Sequence, residues 1–340
     1  MATSTWFGGY GRYGAARHWD PRGVPGAGAT AVVDRGEVVV RRQDVAATVV
    51  LGGLDAASQP VLDLRNSSLG QLTMPADLPQ QPYTTTQSPP EYGTVNVFGH
   101  SSIGSLEIGN FADMVRAPDP YGHGPLTAQD NLTVALNGSA ILATAFDVKE
   151  GSTLTVNGAE GSSFNAANST IEGGRVVMNA PLGGNGTILM TNGDVYYFGL
   201  AQVGTLELNG SVGAGETIDI RMGHLQIDKP LAFAGQIDIR ASESVPGQPA
   251  SYGSQSVTLE DLTATAYSFD DLSHTMTLFN GETAMDQVHF TPDIVAASFG
   301  PGYSGRIGVA QLDGGGVFLR GQYNGYPTGA VEIPLQGPQV

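Results

Sequence analysis

The chain has 340 residues, enough to bury a substantial core, and its 48 glycines and 20 prolines leave little room for long helices. Fifteen basic against 32 acidic residues give a formal charge of −17, which argues against nucleic acid as a partner and against binding to anionic membranes. The chain has no cysteine, which removes disulfides, thiol catalysis and Cys-ligated zinc from consideration.

Only 14% of residues are charged, and Gly, Ser, Thr, Asn and Gln fill the gap. That is the composition of a turn-rich, polar, all-β protein. A hydrophobic share of 41% argues against disorder. No apolar run reaches the roughly 18 residues of a spanning helix, so membrane insertion is not expected. The opening residues carry no apolar segment of the signal-peptide kind, so an exported chain would use another route.

The first segment, 1–30, gathers Trp6, Tyr10, Tyr13 and Trp19 before any strand signal. Two roles fit those four aromatics. They form a cap that seals the first layer of the core, or a surface for a glycan or protein partner. Short strands bounded by Gly, Asn and Asp then follow: Val38-Val39-Val40, Thr48 to Leu51, Val61 to Leu64, Thr94 to Phe98 and Leu106-Glu107-Ile108. Further on stand Leu132 to Leu136, Ile141-Leu142, Leu154-Thr155-Val156, Val176-Val177-Met178 and Ile188-Leu189-Met190. Val195-Tyr196-Tyr197, Leu206-Glu207-Leu208, Ile218-Asp219-Ile220, Leu225-Gln226-Ile227 and Ile237-Asp238-Ile239 complete the run.

The recurring unit is apolar–polar–apolar, which puts its outer two side chains on one face of a strand. Three residues make a poor hairpin but suffice for one side of a solenoid coil. Matching triplets begin at Leu154, Val176, Leu206 and Leu225, with offsets of 22, 30 and 19 residues. Such spacing predicts stacked coils over 31–240, a right-handed parallel β-helix. Asn-Gly pairs at 137, 157, 185, 192 and 209 supply corners. Loop insertions are expected near 74–91, which holds five prolines, and near 116–124; the triplet rhythm stops over 241–256. Over 257–340 the pattern changes to hairpins, Ala264–Phe269 and Thr275–Phe279 about the corner Asp270-Asp271, forming a β-rich C-terminal capping module.

Trp6-Phe7-Gly8-Gly9, His18-Trp19-Asp20-Pro21 and Gly23-Val24-Pro25-Gly26-Ala27-Gly28 precede the strand at Thr30. This opening resembles that of secreted bacterial adhesin-like and autotransporter-passenger-like β-helix proteins. Their pattern is a W-x-G-G element, a W-x-P element, a G-V-P-x-x-G-D turn and a strand; here Ala29 stands in place of the Asp. Ala266-Tyr267-Ser268-Phe269, Met276 to Gly281 and Val288-His289-Phe290 resemble a module of large secreted bacterial proteins. The two matches span about a third of the chain. The resemblance implies a protein at the cell surface or outside the cell, exported without a classical signal peptide, and it carries over no catalytic residue.

Chemistry-bearing groups are sparse. Glu207, Asp219 and Asp238 occupy outward strand positions, with Asp194 and Asp228 nearby, where solvated acids are the norm. The six histidines follow no zinc-ligand spacing. Asp270 and Asp271, with Asp261 upstream, are the candidate ligands for calcium, the one cofactor the sequence suggests. The expectation is a non-enzymatic structural or adhesive protein that self-associates into a surface layer, biofilm matrix or filament, with surface glycans as further partners. A polysaccharide-degrading β-helix enzyme and a phage tailspike-like glycan binder are the alternatives.

Overall fold

The computed structural model describes residues 2–52, 59–74, 91–109, 130–191, 203–239, 255–300, 306–321 and 327–336. The protein is all-β: among the described residues 27 strands join in one large open sheet that mixes parallel and antiparallel pairs. Among the described residues no helix is long and apolar enough to cross a membrane.

Most of the pairing falls into three parallel ladders. The first runs through Tyr10–Arg12, Glu37–Arg41, Val61–Arg65, residues 94–98, 130–137, Thr153–Gly158, Arg175–Met178, Gly204–Leu208, Gly223–Ile227 and Gln255–Leu259. The second joins residues 44–45, 68–69, 100–103, 141–144, Ser163–Ala166 and Leu182–Gly184, then narrows to single bridges at Val212 and Phe233. The third runs through Thr3–Trp6, Thr30–Val33, residues 48–50, 71–74, 105–108, 145–149, Ser169–Glu172, Thr187–Thr191, Thr217–Ile220 and Gln236–Ile239. From Glu37 to Leu259 the chain visits first, second and third ladder in turn, again and again. The triplets at Leu154, Val176, Leu206 and Leu225 stand directly in register, so their unequal offsets are unequal rung-to-rung path lengths.

Alternation does the sorting. Val38, Leu62, Val95, Val134, Val156, Met178, Leu208, Ile227 and Leu259 follow one another up the first ladder, and all are buried. Ile188, Ile218 and Ile237 do the same on the third. Each such side chain contributes about 1.5–3 kcal/mol of burial free energy. A neighbour directly above and below repeats the shape, so close packing continues from rung to rung.

The corners follow a different logic from simple turns. At Asn137-Gly138 the glycine takes φ +64, as expected of the pair. At Asn209-Gly210 the need is space: a Cβ on Gly210 would lie 2.4 Å from the Ala180 carbonyl oxygen. The asparagines stack there as amides. Asn209 Nδ2 donates to Asn179 Oδ1 at 2.7 Å, and Asn179 Nδ2 donates to Asn157 Oδ1 at 2.8 Å.

Five stretches outside the described residues, 53–58, 75–90, 110–129, 192–202 and 240–254, each follow a strand of the third ladder in sequence and precede one of the first. The expected loop at 116–124 lies wholly within them, as does most of 74–91 and 241–256. Met74, Glu91, Gln255 and Ser256 belong to strands instead, since ladder pairing reaches them.

The segment 1–30 is not separate from the ladders, because Thr3–Trp6 and Tyr10–Arg12 form rungs of the third and first. At the other end the ladders pass into antiparallel sheets. Gln255–Leu259 pairs with Val317–Arg320, which pairs with Gly308–Gln311. Gln236–Ile239 pairs in parallel with the end of Thr283–Phe290, which continues antiparallel to Thr275–Asn280 and Ala266–Asp270, the hairpin expected about Asp270-Asp271. Gln311 clasps this region: its Oε1 accepts from Ala264 N at 2.6 Å, and its Nε2 donates to Gly316 O at 2.8 Å and Leu262 O at 3.2 Å. Gln311→Leu leaves the Ala264 N–H unpaired, while Gly316 O and Leu262 O keep their bonds from Leu312 N and Gly316 N, and is expected to cost about 2 kcal/mol, read as a lower urea midpoint at unchanged slope.

Candidate functional site

The aromatic cluster of the first segment divides sharply. Trp6, Tyr13 and Trp19 are buried, and Tyr10 is 67% exposed. Trp19 meets Trp6 and Tyr13 edge-on at 5.1 Å each, and His18 stacks on Trp6 at 4.8 Å. The polar tips are satisfied inside: Trp19 Nε1 donates to Tyr13 O at 2.8 Å and Tyr13 Oη donates to Pro25 O at 3.0 Å. Burial pushes the Tyr13 phenol up to about 12. A ligand platform of all four aromatics is therefore corrected to Tyr10 alone, because the other three rings line the core.

Tyr10 opens a polar surface on the first ladder. It stands in register with Glu37, while Arg12, Val39, Asp63 and Asn96 follow in the adjoining row. Outward positions on successive rungs meet side by side, which builds a cluster from residues far apart in sequence. Asp63 Oδ2 accepts from Arg65 Nη2 at 2.8 Å, and its Oδ1 accepts from Asn96 Nδ2 at 2.9 Å. The Arg65 guanidinium lies 4.6 Å above the Phe98 ring. The Glu37 carboxyl is raised, first by burial and then by the like charge of Asp63, against the opposing charge of Arg65. The arrangement offers the exposed Tyr10 phenol and the half-exposed Arg65 guanidinium, while the Asp63 carboxylate that pairs with Arg65 is itself buried.

The other acids are scattered. Glu207 lies on the first ladder and accepts from Arg175 Nε at 2.9 Å and Nη2 at 2.6 Å. Asp219 and Asp238 adjoin on the third ladder, with Asp219 paired to Arg221 at 2.8 Å. The ladders thus keep Glu207 apart from the two aspartates. Asp228 raises the Glu260 carboxyl after burial has done so, with Asp261 adding to it. Asp194 and the aromatic run 196–198 lie outside the described residues.

Asp270 and Asp271 sit at the hairpin tip. Asp270 accepts from Ser273 Oγ at 2.7 Å and Leu272 N at 3.0 Å, which hold its carboxyl below the usual range. Asp271 accepts from Ala296 N. Asp270 therefore serves the turn itself, and Asp271 ties the turn to the segment that begins at Ala296. Among the described residues no group of three or more His, Asp or Glu converges as a metal would require. His224 Nδ1 lies 2.5 Å from Ser256 Oγ on adjacent rungs, and burial lowers its pKa. His289 Nδ1 lies 3.0 Å from Thr275 Oγ1 and His274 Nδ1 lies 3.1 Å from Ile294 O.

Glu216 is the group that sequence reading missed. It is fully buried, and neither carboxyl oxygen has a well-formed hydrogen bond among the described residues. Desolvation pushes its pKa up to about 7, against partial compensation from the Gly186 N–H. The signal was present: Glu216, Ile218 and Ile220 alternate inward on one strand edge. It was hidden because Gly213-Ala214-Gly215 reads as a turn, where an acid is expected to face water. Comparisons with protein families, with curated proteins and with solved structures find no match to this chain.

Proposed function

We propose that this chain is an extracellular structural and adhesive protein, a right-handed parallel β-helix that self-associates into a surface layer, matrix or filament. The supporting observation is the set of three parallel ladders visited in fixed rotation, with apolar columns inside and polar rows outside. Such a column is rigid along its axis because each rung is hydrogen-bonded to the next, and its polar flanks present long, repetitive surfaces. A charge of −17 keeps the faces soluble until specific contacts hold them together. The Tyr10–Arg65 surface gives the same scaffold a place to meet neutral surface glycans.

Electron microscopy of the purified chain across a concentration series, with and without calcium, tests this reading. Ordered filaments or sheets that grow with concentration are expected. Dispersed single particles under every condition would rule out self-association and turn attention to glycan binding.

A further inference from the structure

The antiparallel region that follows the ladders is closed by a short strap, residues 327–336. On one side Glu332 and Val331 pair with Ala310 and Gln311, and Ile333 N donates to Val309 O at 3.0 Å. On the other side Tyr267 N donates to Pro334 O at 3.2 Å, and Gln336 N donates to Tyr267 O at 2.7 Å. The strap is therefore the shared edge of two sheets, one built from the first ladder and one from the third.

What it covers and what it contributes are unequal. Beneath it Val309, Ala310 and Tyr267 are buried. Of the strap's own apolar side chains, Ile333 is buried, whereas Val331 is 64% and Leu335 41% exposed. Main-chain hydrogen bonds and one isoleucine hold it. Opening it exposes two unpaired strand edges with apolar backing, the kind of edge that accepts a strand from another chain. The strand known to fit that slot in register, hydrogen bonding and side-chain shape is the strap itself. Exchange between copies then replaces each contact by an identical one, so the barrier is the opening and the balance is set by concentration.

We propose that residues 327–336 form an exchangeable strand, and that the slot between Val309–Gln311 and Tyr267 takes the same segment of a second copy of this chain. This proposal rests on the self-association reading for its partner, but strand exchange can be measured by itself. The absence of cysteine makes a clean lock available, since Val309 and Ile333 are adjacent across the strands.

The test adds a fluorescent synthetic peptide of residues 327–336 to the full chain and follows its capture by anisotropy. Capture by the wild-type chain is expected. Oxidised Val309→Cys/Ile333→Cys should reduce it about tenfold and reduction should restore it, while Ile333→Ala, which loosens the strap without a lock, should increase it several-fold. No capture by wild type or Ile333→Ala in excess peptide, or equal capture with the lock open and closed, overturns the proposal. Lock-sensitive capture without filaments in the microscope upholds the strap and sinks self-association. Filaments that form unaffected by the lock, with no capture, do the reverse.

Discussion

Glu216→Gln is expected to stabilise the protein at pH 8 by about 3 kcal/mol and to leave it unchanged near pH 4. In the unfolded chain this carboxyl titrates near its ordinary 4.5; burial moves it to about 7 in the folded chain. Below about 4.5 both states hold the proton, and Glu216 contributes no pH dependence. Between about 4.5 and 7 the folded state keeps a proton that the unfolded state has lost, so stability falls as pH rises. Above about 7 both are ionised and the loss is complete. No neighbouring charge enters this balance, since desolvation is the leading cause and the Gly186 N–H the only opposing one. Urea unfolding at several pH values between 4 and 8 should show the wild type losing ground to the amide variant across that window. Curves that stay parallel throughout would show that Glu216 is already solvated or paired.

Trp19→Ala should cost about 3–5 kcal/mol, the range for emptying a large aromatic site that collapses poorly. Trp19 is fully buried, touches both Trp6 and Tyr13, and satisfies the Tyr13 carbonyl. The location of the damage is as informative as its size. In stacked rungs each layer leans chiefly on its neighbours, so loosening should concentrate at the start of the ladders. Hydrogen exchange is expected to accelerate at Thr3–Trp6, Tyr10–Arg12 and Thr30–Val33 and to remain slow at Thr217–Ile220. Uniform acceleration along the chain would mean that the first segment is integral to a single cooperative unit.

The first and third ladders were legible in the sequence because their rungs are apolar–polar–apolar triplets of β-branched and leucine residues. The hairpin about Asp270-Asp271 was legible for the same reason. The second ladder was legible only at Ile141-Leu142: at Val212 and Phe233, for example, a rung consists of one residue, which leaves no periodicity to detect. The Tyr10 surface was hidden by distance, since Glu37, Asp63 and Asn96 come together only once the rung register is known. Side-chain type also misled. Trp6, Tyr13 and Trp19 look the same in sequence whether they cap a core or meet a ligand, and only the fold turns them inward. Glu216 is the converse, an acid that the alternation of its strand carries into the interior.

The corner between the third and first ladders has a further meaning. At five points the sequence between a strand of the third ladder and the next strand of the first lengthens, by very different amounts, and the register of the ladders is kept each time. Successive rungs are about 4.8 Å apart, so the strand ends on either side of these points follow one another along the ladders in multiples of that step. Loop closure costs rise only slowly with length, by about 0.6 kcal/mol per doubling. The ladders therefore hold their register whether little or much sequence intervenes, so the column is set by its rungs and hardly by the length of chain between them.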